Sequence, residues 1–112
     1  MNKIILALDT TNLEEAINIT KKIKDKIYTV KLGLEFWNAH GKEGIKKFNQ
    51  IGVNNIFLDL KLADVANTIK KSILALDGIN FGYLSVHSFA GNESIKKAKE
   101  SAKQLNPNLK IL

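Results

Sequence analysis

The chain has 112 residues, enough for one modest domain, and its 45% hydrophobic and 25% charged residues are ordinary for a globular protein. It contains no cysteine, which excludes a disulfide framework, and no apolar run approaches the ~20 residues of a membrane span. The net charge of +6 comes from lysines scattered over predicted helix faces, and arginine, the usual base-reading residue, is absent. We therefore expect a cytoplasmic protein that binds neither nucleic acid nor membrane.

Short apolar runs alternate with amphipathic segments along the whole chain. The apolar runs predict strands at residues 4–8, 27–32, 55–60 and 83–86, and a fifth strand that begins at 109. Apolar residues between these runs recur at helical spacing. The sequence therefore predicts an α/β protein with strands and helices in strict alternation.

Capping residues locate the ends of the predicted helices. Thr11 and Glu14 form a capping box that begins the first helix, and Gly52 ends the second. Asp64 is a good N-cap for the third helix, which we expect to bury Val65.

Polar residues recur at the ends of the predicted strands. Lys31, Asp59 and His87 follow one another at intervals of 28 residues, and Asp9 has the same place on the first strand. No glycine-rich phosphate loop follows the first strand, which disfavours a dinucleotide fold, whereas polar strand ends favour a (β/α)8 TIM barrel. Since a barrel needs about 250 residues, we predict that residues 1–112 form a single incomplete domain. That domain is a barrel truncated to roughly its first four βα units plus the start of a fifth strand.

The motif Asp59-x-Lys61-x-x-Asp64 ends the third predicted strand. An opposite charge at ~4 Å is worth roughly 4 kcal/mol at an effective dielectric near 20, so the lysine should stay a cation and proton donor. With Asp9 and Lys31 the motif forms an array of alternating charge. Such an array suits a substrate with hydroxyl groups and developing negative charge. No metal-ligand pattern stands out, and no metal is expected.

The two histidines add little to this array. His40 and His87 lack the spacing of a zinc site, and Ser85 and Ser88 beside His87 form no nucleophile elbow. A ligand contact for His87 stays open, but a structural hydrogen bond is favoured.

Residues 56–68, which read IFLDLKLADVANT, resemble the signature of the orotidine 5'-phosphate decarboxylase family. Residues 6–9 (LALD) and 30–33 (VKLG) match the same family in order and spacing. The related hexulose-phosphate synthases and keto-gulonate-phosphate decarboxylases share the Asp-x-Lys-x-x-Asp motif. A sugar-phosphate decarboxylase or aldolase that uses magnesium is therefore the alternative, although the Asn-Thr pair that ends the segment favours the orotidine enzyme.

The resemblance implies a lyase that decarboxylates orotidine 5'-phosphate to UMP in pyrimidine biosynthesis without a cofactor. It implies that Lys61 donates a proton to C6 while Asp59 lies beside the departing carboxylate. It also implies that Lys31 contacts the ribose, and that Asp64 joins these three as a catalytic residue.

The resemblance further implies substrate binding by the same residues together with Asp9, which binds a ribose hydroxyl, and Thr68. In the family, the residues matched by Asp64 and Thr68 reach the neighbouring subunit's site, so a homodimer is implied. The family's phosphate and pyrimidine contacts come from later strands, so we expect residues 1–112 alone to be inactive or weak. The chain would then need a missing carboxyl-terminal half, or be a non-catalytic half-barrel remnant.

Overall fold

The computed structural model describes residues 2–112, in which five strands alternate with four α-helices. The strands are β1 (Ile5–Ala7), β2 (Thr29–Gly33), β3 (Phe57–Leu62), β4 (Tyr83–Val86) and β5 (Lys110–Ile111). The helices are α1 (Leu13–Ile23), α2 (Leu34–Gln50), α3 (Ala66–Leu74) and α4 (Asn92–Leu105), and short 3-10 turns cover Lys24–Lys26 and Ser88–Ala90. No helix in this part of the chain is long and apolar enough to cross a membrane.

The five strands form one parallel sheet in the order β1-β2-β3-β4-β5. Each helix therefore connects two neighbouring strands, and the strand order never reverses. A doubly wound sheet reverses its strand order at a switch point, whereas a (β/α)8 barrel adds its strands in sequence. The observed order agrees with the predicted barrel type.

The core lies between the sheet and the helices. Successive strand residues point to opposite faces, so every second residue of a strand packs on the helices. Leu58 on β3 and Leu84 on β4 are fully buried in this layer, and Phe36 and Phe48 of α2 pack edge to face at 5.6 Å. Each such side chain contributes roughly 1.5–3 kcal/mol of burial free energy. The alternate strand residues face the open, concave side of the sheet.

Two helices begin at residues that the sequence did not predict. The Asn12 side chain, and not Thr11, caps α1, where its Oδ1 accepts from the Glu15 N–H at 3.0 Å. The predicted burial of Val65 is wrong, because this residue precedes α3 as its N-cap and is 67% exposed. Asp64 lies one residue too early to cap α3, and its Oδ1 accepts only the Val65 N–H, at 2.7 Å.

Candidate functional site

Lys31, Asp59 and Lys61 meet at the carboxyl ends of two neighbouring strands. Lys31 lies on β2, and Asp59 and Lys61 lie two residues apart on β3, so all three face the concave side of the sheet. The Lys61 Nζ donates to Asp59 Oδ2 at 2.7 Å, and the Lys31 Nζ donates to the same oxygen at 3.4 Å. One carboxylate oxygen thus joins two ammonium groups.

The other carboxylate oxygen of Asp59 is bound by Ser85, a residue of β4. Ser85 Oγ donates to Asp59 Oδ1 at 2.7 Å and accepts from the backbone N–H of Lys61 at 2.8 Å. Sequence reasoning considered Ser85 only as a nucleophile and missed it as part of this cluster. One signal was present: Ser85 lies two residues before His87, so strand alternation places it on the concave face.

Hydrogen bonds and a neighbouring positive charge keep Asp59 ionised in spite of its burial. Its side chain is only 12% exposed, and this burial alone would raise the pKa of the Asp59 carboxyl. Hydrogen bonds from Lys61, Ser85 and Lys31, with the positive charge of Lys61, outweigh burial and hold the pKa below its ordinary value. The Lys61 side chain is 57% exposed, and an ammonium has three N–H donors. It can therefore donate to Asp59 and to a bound ligand together.

Replacing Asp59 should make stability less dependent on acid pH. We expect Asp59→Asn to lower the free energy of unfolding at neutral pH by about 1–3 kcal/mol, the usual contribution of hydrogen bonds to a charged group. The pKa of Asp59 is lower in the folded than in the unfolded chain. Its contribution is therefore complete above about pH 4, the unfolded-state value, and is lost as pH falls through the folded-state pKa.

Urea unfolding of both proteins between neutral and acid pH measures this difference. Glu43→Gln is the control, because Glu43 is an exposed carboxylate that pairs with Lys46 at 2.8 Å, and exposed pairs contribute little. A gap between wild type and Asp59→Asn that stays constant as pH falls would contradict the assignment.

Asp9 extends the cluster from the β1 side. A Cβ placed on Gly33 would lie 3.9 Å from Asp9 Oδ1 and 3.8 Å from the Asp59 carbonyl oxygen, so the ends of β1, β2 and β3 adjoin here. Asp9 itself is exposed. Its carboxylate is available to accept hydroxyl donors at the rim of the site. Among residues 2–112, no group of three or more histidine or acidic residues is arranged to hold a metal ion.

Asp64 and Thr68 lie outside this cluster. Both are exposed, and the Asp64 backbone carbonyl accepts from Ser94 Oγ at 2.7 Å, which ties the β3–α3 loop to α4. Asp64 lines an open cavity of about 710 Å³ together with Val65 and Phe89. The structure therefore brings Lys31, Asp59 and Lys61 into hydrogen-bond contact and places Asp9 at the adjoining strand end. It leaves Asp64 and Thr68 exposed and outside the cluster.

His87 makes a structural hydrogen bond. Its Nδ1 accepts from the Phe89 N–H at 3.1 Å, and the two rings lie 4.6 Å apart. This contact caps the 3-10 turn Ser88–Ala90 and matches the role favoured for His87 from sequence.

Sequence comparison relates the whole described chain to one family. The family model described as "Orotidine 5'-phosphate decarboxylase / HUMPS family" matches residues 2–112. Orotidine 5'-phosphate decarboxylase of Wolbachia sp. subsp. Brugia malayi is 39% identical over 109 residues, which are 97% of this chain and 48% of the relative. The enzyme of the same name from Ehrlichia canis is 42% identical over 100 residues, or 89% of this chain and 43% of the relative. The chain thus spans about half the length of these curated relatives.

Solved structures give the same result for the fold. Orotidine 5'-phosphate decarboxylase from Pyrococcus horikoshii OT3 matches with a TM-score of 0.81 and 34% identity, over 97% of this chain and 49% of that one. Orotidine 5'-monophosphate decarboxylase from Methanocaldococcus jannaschii, complexed with the inhibitor BMP, matches with a TM-score of 0.87 and 30% identity, over 99% and 50%. These matches confirm the predicted fold, a barrel type of which this chain contains about half.

Proposed function

The chain belongs to the orotidine 5'-phosphate decarboxylase / HUMPS family, and we propose that it carries the catalytic strand ends of an orotidine 5'-phosphate decarboxylase. The observation that carries the proposal is the convergence of Lys31 and Lys61 on one oxygen of Asp59. The reaction is the cofactor-independent conversion of orotidine 5'-phosphate to UMP in pyrimidine biosynthesis. We also propose a cytoplasmic location, supported by the absence of cysteine.

Lys61 is the proton donor of the proposed reaction. The bond between C6 and the carboxylate carbon breaks, carbon dioxide leaves, and the electron pair stays on C6. The Lys61 ammonium stabilises this developing negative charge and then transfers a proton from Nζ to C6. Its exposure and its contact with Asp59 support this role, because the group is a positioned cation that a substrate can approach.

Asp59 and Lys31 position the donor and bind the substrate. Asp59 orients both ammonium groups, Lys31 donates to the ribose, and Asp9 accepts a ribose hydroxyl. We assign the acceleration to Lys61 rather than to repulsion between Asp59 and the substrate carboxylate. The reason is that two ammonium groups within 3.4 Å already balance the charge of Asp59.

We further propose that the partner is a second copy of the chain, with Asp64 and Thr68 at the interface. Phe89 is 91% exposed and Val65 is 67% exposed, and both line the same cavity as Asp64. Exposed apolar side chains grouped in this way are typical of interaction surfaces. The Asp64 carboxylate, which accepts only from its neighbour's N–H, is available to a site on the second copy.

Residues 1–112 are proposed to be a single incomplete domain that needs further strands to bind phosphate and pyrimidine. Remote phosphate contacts supply much of an enzyme's transition-state stabilisation. The experiment compares the isolated chain with a joined barrel, defined as residues 1–112 fused to the part of the Wolbachia relative that this chain does not match. We expect loss of orotate absorbance with the joined barrel and little or none with the isolated chain.

Both proteins must first show folded circular dichroism spectra. Strong Lys61-dependent turnover by the isolated chain would contradict the expected inactivity. A folded joined barrel without turnover would contradict the decarboxylase proposal.

A further inference from the structure

Ser85 hydrogen-bonds to two members of the Lys31–Asp59–Lys61 cluster. It lies on β4 and is 8% exposed. Its single hydroxyl makes both a donor bond to the Asp59 carboxylate and an acceptor bond from the Lys61 backbone, at 2.7 and 2.8 Å. No other side chain of residues 2–112 hydrogen-bonds to both of these residues in this way.

The backbone at Lys61 needs such support. Lys61 has a φ of 47° and is the one residue other than glycine in the described chain with a positive φ. The pairing of β3 with β4 also shifts register between Leu58 and Leu62. Left-handed backbone is disfavoured for a residue with a Cβ atom and persists only where surrounding contacts hold it. At this irregularity the Lys61 N–H donates to Ser85 Oγ at 2.8 Å.

We propose that Ser85 is a positioning residue that sets the direction of the Lys61 ammonium. By binding Asp59 Oδ1, Ser85 turns Oδ2 toward the two lysines, because the carboxylate would otherwise rotate within a broad torsional range. By accepting the Lys61 N–H, it holds the irregular backbone from which the Lys61 side chain departs. The role of Ser85 in positioning Asp59 and Lys61 follows from the hydrogen-bond geometry. Its importance for catalysis rests on the proposed function.

The test uses nuclear magnetic resonance on the full 112-residue chain and needs no substrate. It follows the Asp59 carboxyl carbon during an acid titration and the exchange rate of the Lys61 amide proton. The variants are Ser85→Ala, which removes the hydroxyl, and Ser85→Thr, which keeps it on a residue suited to strands. Ser101→Ala is the matched control, because Ser101 is a buried serine whose Oγ donates to the Lys97 carbonyl at 2.7 Å on α4.

For Ser85→Ala we expect a higher titration midpoint for Asp59 and at least about tenfold faster exchange of the Lys61 amide, since its hydrogen bond is gone. Ser85→Thr should restore both values, and Ser101→Ala should leave both unchanged. Wild-type values for both readouts in Ser85→Ala would overturn the proposal. So would a folded Ser85→Thr variant that behaves like Ser85→Ala.

The wild-type chain provides a second measurement in case Ser85→Ala does not fold. A Lys61 amide that exchanges as fast as the amide of exposed Glu93 would show that Ser85 does not hold it, and would overturn the proposal. These readouts are independent of decarboxylation. An inactive joined barrel would therefore contradict the proposed function, whereas the Asp59 titration and the Lys61 amide exchange would still show whether Ser85 positions these two residues.

Discussion

Lys61→Ala is expected to lower the kcat of the joined barrel for orotidine 5'-phosphate by at least about a thousandfold. General acids contribute roughly 10²–10⁴-fold, and a single preorganised group that stabilises developing charge contributes about 10²–10³-fold. Lys61 is proposed to do both. KM should change much less, since these interactions form fully only in the transition state. Loss of orotate absorbance under saturating substrate measures the effect.

A second lysine provides the control for this result. Lys97 lies on α4 and pairs with Glu100 at 3.1 Å, and its side chain is 40% exposed. Lys97→Ala removes the same charge and the same number of atoms on a helix, where the lysine pairs with Glu100 and not with the Lys31–Asp59–Lys61 cluster. It should leave kcat unchanged. If Lys61→Ala retains more than about a tenth of the activity, Lys61 is not the proton donor.

A mixture of two inactive variants should recover activity if Asp64 serves the site of a second copy. In the joined barrel, Lys61→Ala is expected to lower kcat by at least about a thousandfold, and Asp64→Ala by about 10²-fold or more. In a mixed dimer, one of the two sites then receives Lys61 from one copy and Asp64 from the other, both intact. Random reassociation of equal amounts gives intact residues at roughly a quarter of all sites.

The measurement is turnover after the two variants have been mixed, unfolded and refolded together, compared with each variant treated alone. Lys61→Ala mixed with Asp59→Asn is the matched control, because both residues belong to one copy's cluster and no mixed dimer restores it. Recovery in the control as large as in the test mixture would contradict the shared site. A mixture with no recovery, in a protein shown to be dimeric, would place Asp64 outside the partner's site.

The proximity of Lys31 to Asp59 could be predicted from sequence because it requires only that their strands, β2 and β3, lie side by side and parallel. The 28-residue interval repeats the same strand–helix length, so neighbouring strands end at the same edge of the sheet. β4 was also predicted with its observed bounds, Tyr83–Val86. β3, by contrast, extends to Leu62, two residues beyond its predicted end, and so includes Lys61 within the strand.

The role of Ser85 could not be predicted because it depends on an irregularity. Lys61 adopts a positive φ that residues with a Cβ atom disfavour, so no propensity marks the register shift. The N-caps were missed for a related reason. Thr11, Asn12 and Asp64 are all good N-cap residues, yet Asn12 caps α1, and α3 begins after Val65, which makes no side-chain cap hydrogen bond. Tertiary packing decides where a helix begins within one or two residues.

The most direct test of the decarboxylase assignment is turnover of orotidine 5'-phosphate by the joined barrel in the presence of a metal chelator. We predict that orotate absorbance is lost at the same rate with and without chelator, and that the loss depends on Lys61. The contradicting result is a folded joined barrel that leaves orotidine 5'-phosphate intact and converts a sugar phosphate only when magnesium is added. That result would assign this chain to the sugar-phosphate branch of its family.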